Sequence, residues 1–129
     1  MCSSDLYFSD EFGQLFVADS GNNRIQVFSA EGHFVRAFGS QGKGDLQVSY
    51  PTGICMDVDG NLLIGDYYND RVVRYSWNGR EEKFIETIGK FGQGEFEFYG
   101  PSGVCVDSEN RLAVADHSNN RVVVLSGLL

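Results

Sequence analysis

Three stretches of this chain set a carboxylate, a carboxamide and a guanidinium at the same offsets: DSGNNR from Asp19, DYYNDR from Asp66 and DHSNNR from Asp116. An acid and an arginine five residues apart can pair as ions across a turn, and in other settings the same groups hold ligands. Asp66 closes one apolar run and Arg71 opens the next. The two are therefore expected to face each other across a hairpin, as a partly exposed charge pair worth roughly 0.2 to 1 kcal/mol. Asn22, Asn69 and Asn119 can bond their own backbone in Asx-turns, and Asn23, Asp70 and Asn120 are residue types that tolerate the left-handed conformation. Asp19, Asn22, Arg24, Asp66, Asn69, Arg71, Asp116, Asn119 and Arg121 thus read as builders of hairpins. The two variable positions between Asp and Asn read as facing solvent.

Other reactive groupings fail on spacing. GSQGKG and GKFGQGE suggest phosphate loops, but Lys43 is followed by Gly44 instead of Ser or Thr, and neither loop leads into a helix. DVDGN from Asp57 suggests a calcium loop, yet Tyr68 stands where the twelfth-position Glu is needed. A metal would need ligands converging within about 2.0 to 2.2 Å of one ion; His33 and His117 are expected at opposite ends of the strands, so no metal or other cofactor is expected. Cys55 and Cys105 occupy equivalent places in GICMD and GVCVD. They should point the same way from neighbouring units, and both are expected reduced and buried.

The elements that would carry these groups emerge from internal repetition. PTGICMDVDGNLLIGDYYNDRVVRYS from Pro51 aligns with PSGVCVDSENRLAVADHSNNRVVVLS, 50 residues later, and its second half aligns with DEFGQLFVADSGNNRIQVFS from Asp10. A period just under fifty suits a four-stranded propeller blade. In the middle copy the expected strands are GICMD, LLIGD, RVVRY and FIETI, with Gly60 at a tight turn where Gly13 and Asn110 stand in the other copies. The first two strands are nearly all apolar, as for strands covered on both faces, and the fourth alternates.

The shared pattern, carried by Pro51, Gly53, Asp57, Gly60, Leu62, Asp66, Asn69 and Arg71 and again from Pro101 and Gly103 to Arg121, resembles the NHL repeat from Asp10 onward. The fold expected is an all-β, NHL-type β-propeller of four-stranded blades, incomplete, with about three blades, half of a six-bladed ring. One partial domain spans 1–129: blade 1 about 4–39, blade 2 about 51–89, and blade 3 about 101–126, lacking its outer strand. The first copy departs from the pattern, having Ser4 and Leu6 where Pro and Gly are expected. The chain would be a piece of a longer protein, or one of two copies closing a ring as a homodimer.

The resemblance implies a non-catalytic protein-binding module, the substrate-recognition part of a TRIM-NHL or malin-like E3 ubiquitin ligase whose zinc module lies elsewhere. One alternative is an RNA-binding propeller in post-transcriptional regulation; a second is a lyase-like or lactonase-like enzyme. A net charge of -8 weighs against RNA and anionic membranes. No apolar run is long enough for a spanning helix, and the opening residues lack the form of a signal peptide, so a cytoplasmic location is expected. The acidity concentrates at one end of the strands. The other end, where relatives of this kind usually engage ligands, gathers the contact candidates Tyr67, Tyr68, His117, Phe91, Lys43 and Lys90. Tyr50 and Tyr99 are expected to tuck beneath the connectors as a small core.

Overall fold

The computed structural model describes residues 5–128, so Ser4, at the expected start of the first blade, lies outside the described residues. The chain is all-β. Strands β1 (Leu6–Ser9), β2 (Gln14–Asp19), β3 (Arg24–Ser29) and β4 (Phe34–Phe38) form one antiparallel sheet in chain order. Strands β5 (Pro51–Met56), β6 (Leu62–Asp66), β7 (Arg71–Trp77) and β8 (Glu82–Ile88) form the second. Next, β9 (Lys90–Phe91) pairs in parallel with β10 (Glu97–Phe98), closing the connector into a short loop. Finally, β11 (Pro101–Val106), β12 (Leu112–Asp116) and β13 (Arg121–Leu125) form a three-stranded sheet.

Each strand ends where its side-chain chemistry changes. The β5–β6 turn closes because Asp57 Oδ1 accepts the backbone N–H groups of Asp59 and Asn61, both at 2.9 Å. Asp107 makes the same pair of bonds to Glu109 and Arg111. Gly60 completes the turn at φ 82° and Asn110 at φ 60°. The Asx-turn therefore belongs to Asp57 and Asp107. Asn69, expected to bond its own backbone, instead donates to the Asp66 carboxylate and to the carbonyl of Gly42.

Sheet packs on sheet. Phe16, Ile25, Val27 and Phe38 of the first meet Ile54, Leu62, Ile64, Val73, Tyr75 and Trp77 of the second. On its other face the second sheet sets Cys55, Leu63, Val72 and Ile88 against Val104, Leu112, Val114 and Leu125 of the third. Among the described residues, only the middle sheet is covered on both sides. Its strand β6 is buried at every residue, whereas β13 leaves Val122 and Val124 exposed. The unbroken apolar runs thus mark the middle sheet's own surroundings, and alternation replaces them where one face lacks a neighbour.

Gly53 explains the spacing between units. A Cβ there would lie 2.9 Å from the backbone nitrogen of Val104 and 3.0 Å from the Cα of Gly103. Neighbouring first strands approach too closely for a side chain. Bonds across the same interfaces tie the sheets further. Trp77 Nε1 donates to Gln14 Oε1 at 2.9 Å, Thr52 Oγ1 to the carbonyl of Pro101 at 3.1 Å, and Arg36 forms a two-pronged pair with Glu82.

The cysteines part company. Cys55 is a free, buried thiol, pushed up to about 12 by burial and then by the Asp57 charge. Cys105 is disulfide-bonded, which corrects the expectation of a reduced thiol there. It is half-buried, less enclosed than Cys55. The two do not bond each other, because equivalent places in stacked sheets aim them the same way.

Candidate functional site

At one end of the stack the second and third strands of each sheet are joined by a single 3-10 turn: Ser20–Asn22, Tyr67–Asn69 and His117–Asn119. Each turn is stopped by a left-handed residue, Asn23 at φ 53°, Asp70 at 54° and Asn120 at 54°. Behind the turn sits the acid. Asp66 is wholly buried; one oxygen accepts the Ser49 N–H at 2.7 Å, and the other accepts Asn69 Nδ2 at 2.9 Å and Arg71 Nε at 2.7 Å.

Arg71 then spends its remaining donors on the incoming connector, bonding the carbonyls of Lys43, Gly44 and Gln47 at 3.1, 3.1 and 2.9 Å. Asp116 and Arg121 repeat the arrangement on Gln93, Gly94 and Glu97. The expected partly exposed charge pair is therefore a buried clamp. It fastens a long glycine-rich loop to the hairpin, because a guanidinium has five donors and a carboxylate satisfies only some of them. In the first sheet Arg24 bonds only Asp19 among the described residues, and its side chain is 41% exposed.

A second latch runs the other way. Asn23 Oδ1 accepts the N–H of Tyr50 at 2.8 Å, and Asp70 Oδ1 accepts that of Gly100 at 2.9 Å. Both connectors are thus held at each end.

The latched loops display aromatic rings. Tyr67 meets Tyr68 edge to face at 5.0 Å between centroids, Tyr50 stands 5.4 Å from Tyr68 and 6.0 Å from Tyr67, and His117 lies 6.2 Å from Tyr67. Phe91 and Tyr99 form a second pair at 5.1 Å. Between the groups is an open recess of about 280 Å³ lined by Tyr67, Tyr68, Asp70, Tyr99, Gly100 and Ser118. Tyr50 and Tyr99, expected beneath the connectors, are 41% and 48% exposed and belong to this surface.

Tyr50 takes φ 60°, the place that Gly100 takes at φ 67° one repeat later. Nothing in a tyrosine's identity announces a left-handed backbone; the internal alignment of Tyr50 with Gly100 was the available signal. Of the basic candidates, Lys43 is exposed on its loop, and Lys90 lies 3.8 Å from Glu97. Among the described residues no three His, Cys, Asp or Glu side chains are grouped to hold a metal ion, and no helix is long and apolar enough to cross a membrane.

This stack of two four-stranded sheets and one three-stranded sheet, strand order following the chain, is the architecture of a propeller. A family model described as a 6-bladed beta-propeller matches residues 4–83, and the NHL repeat model matches residues 98–125. The chain belongs to the 6-bladed beta-propeller family. Over 42 residues it is 45% identical to the Protein brain tumor of Drosophila melanogaster, a match covering 33% of this chain and 4% of that protein.

Among solved structures it is similar to virginiamycin B lyase from Staphylococcus aureus, at 19% identity and a TM-score of 0.66, over 91% of this chain and 35% of that one. It is also similar to a luciferin-regenerating enzyme, at 18% identity and a TM-score of 0.68, over 94% of this chain and 39% of that one. The chain spans under two-fifths of the length of these structures. Likeness at this identity speaks for the fold alone.

Proposed function

We propose that this chain is a non-catalytic protein-binding module whose partner lies across the aromatic surface at the loop end. Tyr50 carries the reading. A bulky side chain held at φ 60° costs on the order of 1 to 3 kcal/mol, and such strain gathers at binding sites. Here it sets a ring against Tyr67 and Tyr68, half open to solvent. Tyrosines on rigid turns are effective anchors for a protein partner, because little side-chain freedom is lost on contact.

By resemblance, the module serves substrate recognition in a cytoplasmic TRIM-NHL or malin-like E3 ubiquitin ligase, with the ligase chemistry in another part of a longer protein. A ring of six is completed by further repeats of that protein or by a second copy of this chain, and light scattering separates the two by mass. Oligonucleotide binding is the second reading, favoured by the stacking rings and the exposed Lys43. The net charge of -8 and the pairing of Lys90 with Glu97 argue against it.

The deciding experiment is affinity capture with a folded Tyr67→Ala, Tyr68→Ala variant. Loss of the parent's partners is expected; retention of all of them removes this surface from consideration. RNA affinity that falls steeply with salt and vanishes in Lys43→Glu, Lys90→Glu would favour the second reading.

A further inference from the structure

Asp70 does more than its fold position requires. Its counterparts in the other two turns are Asn23 and Asn120, which take the same left-handed backbone at φ 53° and 54°. Asn23 also makes the same latch, accepting the N–H of Tyr50 as Asp70 accepts that of Gly100. A carboxamide therefore meets both structural demands, and the negative charge at 70 is surplus to them. Its Oδ1 is taken by Gly100, and among the described residues the other oxygen has no partner.

That charge lines the recess between the aromatic groups. Tyr67 and Tyr68 stand at 87° to one another and form a corner, with Tyr99 on the recess from the neighbouring connector. Tyr68 is 63% exposed. Tyrosine faces carry negative quadrupole density, so a corner of rings beside a carboxylate attracts a cation and repels an anion from the ring faces. No lysine or arginine is among the residues that line it.

We infer that this recess receives a cationic side chain, a lysine, methylated lysine or arginine of a protein partner, held by the tyrosine rings and the Asp70 carboxylate. The inference rests on the protein-binding reading and names the chemistry of the partner at that surface. The net charge of -8, concentrated at the other end of the strands, adds only a long-range attraction for a cationic partner. The recess volume of about 280 Å³ exceeds what a lysine or arginine head needs and leaves room for adjoining backbone.

The test is amide NMR of the whole chain titrated with blocked Gly-X-Gly peptides, X being lysine, trimethyllysine, arginine or the neutral norleucine. Saturable shifts at Tyr67, Tyr68, Asp70, Tyr99 and Gly100 are expected with the cationic peptides and not with norleucine. Preference for trimethyllysine would assign the site to a quaternary ammonium, and equal response to lysine and arginine would assign it to an ordinary basic segment. Asp70→Asn keeps the Gly100 latch and the left-handed backbone, and should weaken cationic binding roughly threefold to thirtyfold.

Norleucine shifting the same amides as strongly, or Asp70→Asn leaving the affinity unchanged, overturns the inference. So does an oligouridylate probe that takes this site in preference to the cationic peptides. If Asp70→Asn is silent while Tyr67→Ala, Tyr68→Ala still abolishes protein capture, the binding module stands and only the cationic partner falls.

Discussion

Arg71 donates its Nε–H to Asp66 across 2.7 Å, and the carboxylate that receives it has no exposure to solvent. The equivalent pair Arg24 and Asp19 is nearly as short, at 2.9 Å, yet 41% and 23% exposed. One sequence motif therefore occurs in two dielectric settings within a single chain.

Removing one partner of a buried pair strands the other. Asp66→Ala should destabilise the chain by about 3 to 5 kcal/mol, and Asp19→Ala by about 1 kcal/mol or less, since water can solvate Arg24. Urea denaturation of both variants checks this, and equal losses would show that burial does not set the cost.

Acid should undo the third clamp. Burial raises the Asp116 pKa, but the Tyr99 N–H, Asn119 and Arg121 together lower it by more, leaving it below the ordinary 3.8. A depressed folded value means the stabilisation is fully present above the unfolded value and disappears as pH falls through the folded one. Thermal midpoints measured from about pH 5 down to about pH 2 should fall, and Asp116→Asn should make that fall shallower. An identical slope in the variant would assign the acid sensitivity to other carboxylates.

Gly53→Ala should force the second and third sheets apart, because the new Cβ would meet the Val104 backbone nitrogen at 2.9 Å. A loss of about 1 to 3 kcal/mol is expected, with faster amide exchange in β5 and β11. Gly103→Ala meets nothing nearer than the Ala115 Cβ at 3.7 Å and should be tolerated. Similar behaviour of the two variants in thermal melts would contradict the close approach of the strands.

Tyr50→Gly separates binding from folding. It relieves the left-handed strain while adding chain entropy, so net stability should move by no more than about 1 kcal/mol. Partner capture should nonetheless drop. A variant that binds as the parent does would leave the strained tyrosine without a role in recognition.

Cys55 should resist modification until the chain unfolds, since its thiol is pushed up to about 12 and is 1% exposed. Iodoacetamide labelling followed by peptide mass mapping should show it protected in buffer and labelled in urea. Rapid labelling under native conditions would mean that the second and third sheets part readily.

Much of the architecture is written in local chemistry. LLIGD coincides with β6 (Leu62–Asp66) because an apolar run is bounded by a glycine turn on one side and a polar loop on the other. RVVRY locates β7, which continues two residues further to Trp77 because Trp77 finds a buried acceptor on Gln14. That partner is 63 residues away, and no local pattern announces it. The clamp was illegible for a related reason: Arg71 binds carbonyls of Lys43, Gly44 and Gln47, groups that every residue carries. At the aromatic surface the sequence singled out Tyr67 and Tyr68 by position. The places of Tyr50 and Tyr99 depended on a backbone angle and on how far each connector lifts them.

The clamps also shift where the chain's natural joints lie. Since Arg71 bonds the connector that precedes its own sheet, cutting the chain at 39–50 severs more than a tether: it leaves a buried guanidinium with three acceptors gone. The segment that must fold as one piece begins in the loop and ends in the hairpin, half a repeat out of step with the sheets. A deletion or transplant designed on sheet boundaries would divide every such segment, whereas one designed from connector to hairpin would carry its own acceptors with it.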